Sequence, residues 1–216
     1  MQQQFSIEPD ATPALLQAAR LCFSYPQRAL FVDCTLKIPP GITLLRGGDG
    51  SGKTTLLRLL AGELAASAGH LQANGIGSAD PAYRQQVLRT DPRSDAWDQM
   101  TPGACFTSVQ QRYPRFDQQA LPALVDALAL APHIDKQLHM LSTGSKRKVW
   151  LAAAFASHAA VTLLDEPFAA LDRGSVATLV ALLNAAAKAN PDRAWVLADY
   201  AAPAGIAMAS VIDLGD

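Results

Sequence analysis

The 216-residue chain has little of several residue types that mark common protein classes. Charged residues are only 17% and the net charge is −1, so nothing global draws the chain to nucleic acid or anionic lipid. Cys22, Cys34 and Cys105 are too few and too scattered for a disulfide framework or a cysteine-based metal site. The longest apolar run, residues 149–156, is far below the roughly 20 residues that span a bilayer. These scarcities exclude a disulfide scaffold and a membrane-spanning chain, and no nucleic-acid partner is expected.

The start of the sequence also lacks the pattern of a secretory signal. Residues 1–8 have neither a basic start nor an apolar core. Together with the sparse cysteines, this predicts a protein of the reducing cytosol. Any association with a membrane is then expected to run through a partner.

Apolar segments between turn formers divide the chain into predicted strands and helices. Before residue 91 the pattern indicates a sheet with one major helix that starts at residue 55, and the predicted strands cover residues 18–25, 30–38, 42–45, 69–75 and 85–89. From residue 91 the apolar spacing becomes helical. One predicted helix covers residues 120–128, and a second begins after residues 142–145, with Ser142 or Ser145 as its N-cap, and runs to about residue 158. The chain then returns to sheet, with strands at 161–164, 195–198 and 210–214 and a helix at 176–189.

This order of elements, with 50% hydrophobic residues, predicts one substantial core. We expect a single domain over residues 1–216. Its sheet lobe would cover about 1–90 and 160–216, and an inserted helical lobe about 91–159.

The glycine-rich run from residue 47 to residue 54 is the most informative motif in the chain. It follows a predicted strand and opens a predicted helix, which a plain glycine turn with a solvated lysine would not require. Glycines let successive N–H groups point at one anion, and the helix start adds its positive dipole end. The motif therefore predicts a polyphosphate-binding loop made by Gly47, Gly48, Asp49, Gly50, Ser51, Gly52, Lys53, Thr54 and Thr55.

Two carboxylates, Asp165 and Glu166, come directly after the buried strand at 161–164. This places them at the carboxyl edge of a parallel sheet, where open α/β folds bind ligands. Because Mg²⁺ keeps much of its water, the Thr54 hydroxyl and the Asp165 carboxylate suffice beside phosphate oxygens. Glu166 would then face the terminal phosphate and orient or deprotonate water. Standing alone, the pair would be an ordinary surface Asp-Glu at a strand end.

With these motifs, residues 18–214 resemble the nucleotide-binding subunit of an ATP-binding cassette (ABC) transporter. The segment 141–145, LSTGS, resembles the family's signature LSGGQ, and 170–172, ALD, resembles its D-loop. Tyr25 lies where the family keeps an aromatic residue that stacks on adenine, although it could serve packing alone. The run KRK at 146–148, after the signature, could help attract nucleotide or the partner, but such a charge run is more typical of a solvated helix face.

The resemblance implies a P-loop NTPase fold of the α/β class, with a mixed sheet core and a small inserted helical lobe. It implies ATP and Mg²⁺ as cofactors, with Lys53 and Glu166 as catalytic residues. A helix start carrying Ser142 and Gly144 is a second anion site, and in the family it meets ATP bound to another copy. We therefore expect a homodimer or a pair with a related cassette subunit on ATP binding. The implied partner is a transmembrane permease subunit, which would hold the protein on the cytoplasmic face of the plasma membrane.

Two departures from the family pattern concern the phosphate site. Asp91 stands where the family keeps a glutamine, and as a hard oxygen donor it could still ligate magnesium. Asp199 stands where the family keeps a histidine that contacts the terminal phosphate. A carboxylate about 4 Å from a phosphate oxygen is repelled by roughly 4 kcal/mol at an effective dielectric near 20.

These departures motivate an alternative function, a nucleotide-dependent switch or scaffold that hydrolyses ATP slowly. A soluble ABC protein of DNA repair, translation or metal-cluster assembly is disfavoured, because the chain has no second cassette, long coiled-coil insertion or basic character. A small-molecule kinase is disfavoured by the signature-like segment at 141–145 and by Asp165-Glu166-Pro167.

Overall fold

The computed structural model describes residues 14–91 and 93–215. The predicted leaderless start at residues 1–8 lies outside these ranges, as do the outermost parts of the predicted 1–216 domain. The strands of the described residues are β1 Leu16–Tyr25, β2 Arg28–Ile38, β3 Gly41–Arg46, β4 Ala68–Ala73, β5 Ile76–Gly77, β6 Val87–Arg89, β7 Val161–Asp165, β8 Ala194–Asp199 and β9 Met208–Asp213. The α-helices are α1 Lys53–Leu60, α2 Tyr83–Gln86, α3 Pro102–Arg112, α4 Leu121–Ala127, α5 Thr143–Ala156 and α6 Arg173–Ala189.

The strands form two sheets of different type. One is antiparallel with the order β2-β1-β4-β5. The other is parallel with the order β6-β7-β8-β3-β9. The predicted α/β class with mixed sheets is confirmed.

The parallel sheet is covered on both faces, which explains the continuous apolar runs of its strands. Leu163 and Val196 belong to the same buried cluster as Leu56 of α1. Their neighbours Leu164 and Leu197 point the other way and belong to the cluster of α5 and α6. Alternation along each strand therefore builds two cores back to back.

Three of the six α-helices of the described residues, α3, α4 and α5, lie between β6 and β7 in the chain. Helices α3 and α4 each pack on α5 around the second core cluster. Trp97 stacks on Trp150 of α5, with ring centroids 3.5 Å apart and planes 5° apart. The chain thus changes from sheet to helix near residue 91, as the spacing predicts, whereas the division into two lobes stays a prediction.

The predicted strand at 85–89 was wrong in its first half, since Gln85 and Gln86 belong to α2. Asp80 turns the chain there, because its carboxylate accepts from the Ala82 N–H at 2.8 Å. Tyr83 is fully buried, and its hydroxyl donates to the Leu60 carbonyl at 2.5 Å. The buried Tyr83 side chain therefore keeps residues 83–86 in one helical turn, and the strand begins only at Val87.

The geometry of the parallel sheet brings the motifs together. In the strand register Arg46 faces Asp199, and Asp165 faces Ala198. The glycine-rich loop, Glu166 and Asp199 therefore leave the sheet from neighbouring strands at one edge. In the residues that the structure covers, no helix is both long and apolar enough to cross a membrane.

Candidate nucleotide-binding site

The loop between β3 and α1 has the backbone of an anion site. Gly52 is the N-cap of α1 with φ 101°, and a Cβ there would lie 3.0 Å from the Phe31 ring. Only glycine combines that dihedral with that contact. No side chain caps α1 and its first turn holds no acidic residue, so its leading N–H groups remain available to a bound anion.

The loop lysine is held inside the loop. Lys53 is 9% exposed, and its Nζ donates to the carbonyls of Gly47 at 2.6 Å and Gly48 at 2.9 Å. These two backbone carbonyls therefore hold the ammonium group at the loop without the help of a bound ligand. Ser51 is also buried, and its hydroxyl finds no hydrogen-bond partner within residues 14–91 and 93–215.

A cavity of about 490 Å³ opens over the loop, within the size range of small-ligand sites. A second cavity of about 530 Å³ adjoins it, shares Asp49, Lys53 and Glu166 with it, and adds Asp199. The first cavity is lined by Tyr25, Arg28, Leu30, Gly48, Asp49, Gly50, Gly52, Lys53, Thr54, Thr55, Arg93 and Glu166. Most of the predicted phosphate-loop residues thus face one space.

Tyr25 lies on the wall of this cavity. Its side chain is 43% exposed, and its hydroxyl shares a hydrogen bond of 3.1 Å with the Thr55 hydroxyl. Its ring meets Phe23 edge-on, with centroids 5.0 Å apart. Both a stacking role and a packing role fit this placement, so contact with adenine stays a prediction.

Asp165 and Thr54 form the pair expected of a magnesium site. Burial raises the pKa of Asp165 and the charge of Glu166 adds to the rise, while the nearby Thr54 hydroxyl and the charges of Arg93 and Arg89 oppose it. The described residues contain no cluster of three or more His, Cys, Asp or Glu that could hold a metal alone. Two hard oxygen donors fit Mg²⁺ only if phosphate oxygens and water complete its shell.

Asp91 is not brought to this pair. Its carboxylate accepts from the Arg89 guanidinium at 2.8 Å, and Arg89 also binds Glu63 at 2.9 and 3.0 Å. Asp91 lines neither of the two cavities. A place in the magnesium shell would require its carboxylate to leave Arg89, and that metal role stays a prediction.

Glu166 leaves β7 in a conformation that aims it at the cavity. Its φ is 45°, which is uncommon for a residue other than glycine and is held by a 2.9 Å hydrogen bond from its N–H to the Ala198 carbonyl. Its carboxylate accepts from Arg93 at 2.5 Å. Arg93 was not among the site residues predicted from the sequence. The sequence feature that could have indicated it is its position two residues after Asp91, a predicted magnesium ligand.

Asp199 ends β8 and lines the adjoining cavity with Lys53 and Glu166. Its carboxylate accepts from the Tyr200 N–H at 2.7 Å. Burial raises the pKa of Asp199 and the charge of Glu166 adds to the rise, while the Tyr200 hydrogen bond and Lys53 oppose it. The departure from histidine therefore puts an added acidic group beside Glu166.

The start of α5 lies apart from both cavities. Ser142 is its N-cap, and the Ser142 hydroxyl accepts from the Ser145 N–H at 3.1 Å. A Cβ on Gly144 would lie 2.5 Å from the Ala170 carbonyl oxygen, so the signature-like and D-loop-like segments are packed backbone to backbone. Neither Ser142 nor Gly144 lines the space over the phosphate loop. Within one chain the two predicted anion sites do not meet.

A glycine-rich loop between a parallel strand and a helix, with a Thr–Asp pair beside it, defines a P-loop nucleotide-binding protein. Comparison with known proteins narrows the class. The sequence profile described as ABC transporter matches residues 31–169. The chain belongs to the ABC transporter family, as one of its ATP-binding subunits.

Relatives and solved structures agree with this assignment. The cytochrome c biogenesis ATP-binding export protein CcmA of Pseudomonas savastanoi is 37% identical over 174 residues, 77% of this chain and 80% of CcmA. The taurine import ATP-binding protein TauB of Pseudomonas fluorescens is 36% identical over 166 residues, 74% of this chain and 62% of TauB.

The fold agrees as well. An ATP-binding subunit of an ABC transporter superposes with a TM-score of 0.79 at 23% identity, covering 86% of this chain and 79% of that one. An ABC transporter ATP-binding protein from Pyrococcus furiosus gives 0.75 at 18% identity, covering 92% and 96%. The predicted family and P-loop NTPase fold are confirmed.

Proposed function

We propose that the chain hydrolyses ATP and that this energises a separate transmembrane subunit. The observation that carries the proposal is the shared space over the loop, where Lys53, Thr54 and Glu166 meet. The loop amides and Lys53 bind the phosphates, and Thr54 and Asp165 hold Mg²⁺ beside them. The metal would neutralise developing phosphate charge.

The chemical step assigned to Glu166 is proton removal from water. The water oxygen forms a bond to the terminal phosphorus while the bond from that phosphorus to its bridging oxygen breaks, giving ADP and phosphate. The proton goes to the Glu166 carboxylate. Lys53 stabilises charge on the transferring group, which is the larger part of such catalysis.

A second copy completes the site in this proposal. The start of α5 carries Ser142 and Gly144 away from the chain's own cavity, so these groups are free to approach nucleotide on a partner protomer. Helix starts favour anions through their dipole and unpaired N–H groups. ATP binding would therefore join two cassettes, identical or related. We place this pair at the cytoplasmic face of the plasma membrane, on the transmembrane partner.

The test is Glu166→Gln, which keeps the shape but removes the base. We expect phosphate release to fall by at least about a hundredfold while ATP binding persists. Glu63→Gln is the matched control, because Glu63 binds Arg89 outside the cavity. Turnover in Glu166→Gln equal to that of the parent would reject Glu166 as the base. A parent chain without ATP turnover would reject hydrolysis altogether.

The slowly hydrolysing switch is retained as a second candidate, because Asp199 shares a cavity with Glu166. Like charges at a phosphate site weaken binding of the terminal phosphate and disfavour the charged base. The same assay decides between the two functions. Turnover of the parent chain near the usual enzyme range of about 1–1000 per second excludes the switch, and turnover orders of magnitude lower, with ATP binding intact, favours it.

A further inference from the structure

Arg93 is a cation on the wall of the phosphate cavity that the ATP-binding motifs leave unassigned. Its side chain is 66% exposed, and its Nη2 donates to a Glu166 carboxylate oxygen at 2.5 Å. It lines the same space as Lys53 and Thr54. The charges of Glu166, Asp165 and Asp91 all act on it and raise its pKa above the usual value for arginine, so it stays a cation.

The two ends of the cavity differ in the groups that they present. Tyr25 and Arg28 line the first cavity and are absent from the walls of the adjoining one. Glu166 and Lys53 line both, so they mark the end where the two spaces join. Because Arg93 is bound to Glu166, it lies at this end. A nucleotide with its base towards Tyr25 would present its last phosphate here.

This end carries an excess of acidic groups. Glu166 and Asp199 line it, and Asp165 lies beside them. Among the described residues the cations that line either cavity are Lys53, Arg28 and Arg93. Lys53 lines both cavities and Arg93 is hydrogen-bonded to Glu166, so these two cations offset the carboxylates at this end.

Two other cations near this end, Lys53 and Arg147, are engaged by backbone carbonyls. Lys53 donates to the carbonyls of Gly47 and Gly48. Arg147 is buried and donates to the Ala169 carbonyl. Arg93 differs because its partner is a side chain on the cavity wall and because it is exposed. It can therefore exchange that partner for a ligand.

We propose that Arg93 binds the terminal phosphate of ATP, leaving Glu166 as it does so, and makes the site prefer triphosphate to diphosphate. The inference rests on the proposed function. A guanidinium group matches phosphate oxygens in a forked geometry, and the terminal phosphate carries more charge than a carboxylate. Release from Arg93 frees the Glu166 carboxylate to accept a proton from water. One cation thus couples arrival of the last phosphate to exposure of the base.

The experiment is calorimetric titration of the full chain with ATP, a non-hydrolysable ATP analogue and ADP. In Arg93→Ala we expect ATP and the analogue to bind about tenfold more weakly, as for loss of one charge-assisted hydrogen bond, and ADP to change by less than about twofold. Arg93→Lys keeps a point charge without the fork, and we expect it to recover part of the ATP affinity. Arg58→Ala is the control, because Arg58 is also half-exposed and ion-paired, with Glu63 at 3.8 Å, but lines neither cavity.

The outcomes separate the two proposals. Equal loss of ATP and ADP affinity in Arg93→Ala, or no loss of either, overturns the role of Arg93 while the parent's ATP binding leaves the proposed function in place. A parent chain that binds neither nucleotide overturns both. Selective loss of ATP affinity, with Arg58→Ala like the parent, supports the assignment. Thermal unfolding of each variant checks that the fold is kept.

Discussion

Helices α1 and α5 both begin at predicted anion sites, yet their first turns are built differently. The N-cap of α1 is Gly52, which offers no side-chain hydrogen bond. The N-cap of α5 is Ser142, whose hydroxyl already accepts from the Ser145 N–H. The start of α1 opens into a cavity, whereas the start of α5 is backed by the Ala170 carbonyl at Gly144.

The difference separates a ligand-binding helix start from a helix start fixed by its own chain. At α1 the unpaired N–H groups need an external acceptor, and the glycine loop leaves room for it. At α5 the serine satisfies part of that need, so the helix is stable before any ligand arrives. We infer that α1 governs nucleotide affinity of a single chain and that α5 acts on nucleotide only across a dimer.

The largest effect that would test this comparison is expected at the lysine of the first helix. In Lys53→Ala we expect ATP affinity to fall by about a hundredfold, which corresponds to about 2.7 kcal/mol, because the cation at the loop is lost. Lys146→Ala is the matched change in α5, where the ammonium group binds Asp98 at 2.6 Å. Calorimetric titration at low protein concentration should show less than a twofold change for that variant. Equal losses in the two variants would contradict the comparison.

The second effect is expected from adding one methyl group to the start of α5. In Gly144→Ala the new Cβ would meet the Ala170 carbonyl oxygen at 2.5 Å, and backbone must move. We expect a loss of roughly 1–3 kcal/mol in unfolding free energy. Urea unfolding followed by circular dichroism measures it.

Gly103→Ala is the matched control, since Gly103 is the second residue of α3 as Gly144 is of α5. The nearest atom to a Cβ at Gly103 is the Thr101 hydroxyl at 4.0 Å. We expect that variant to gain up to about 1 kcal/mol from better helix propensity. A Gly144→Ala chain as stable as Gly103→Ala would show that the packing of α5 on the 168–171 segment is loose.

The sequence predicts the starts of α1 and α5 well, because the residues that form each of them are close together in the chain. The loop at 47–54 and the cap at Ser142 each lie within a few residues of the helix that they begin. Strand β7, fully buried, is equally readable from its apolar run. The hydrogen bonds of a helix start close within one turn, so local spacing predicts it, whereas β7 is predicted from its apolar composition alone, since its partners β6 and β8 are distant in the sequence.

Contacts that close over long stretches of chain could not be predicted. Arg93 reaches Glu166 across 73 positions, which no local pattern encodes. The run at 146–148 is typical of a solvated helix face, yet Arg147 is buried and donates to the Ala169 carbonyl. Such pairs depend on how segments distant in the sequence pack against each other, which only the tertiary structure determines. The functional charges of the site are therefore its least predictable part.

The smallest effect concerns the pH dependence of stability at the phosphate end. Burial raises the pKa of Asp199 in the folded chain, so between its unfolded value, about 3.9, and its folded value the folded state binds more protons. Stability contributed by this group is therefore lost as pH rises through that window. In Asp199→Asn we expect unfolding free energy above the parent's at pH 7 and a difference that closes as pH falls below about 4.

Asp213 provides a control of opposite sign at the end of β9. Its hydrogen bond with Arg46 lowers the pKa of Asp213, so that contribution is present above the unfolded pKa and is lost as pH falls. In Asp213→Asn we expect lower stability than the parent at neutral pH and convergence in acid. Urea unfolding of the three chains across this range measures both slopes. Parallel slopes for Asp199→Asn and the parent would mean that Asp199 is solvated like an ordinary surface carboxylate, and that its burial beside Glu166 does not favour the protonated form.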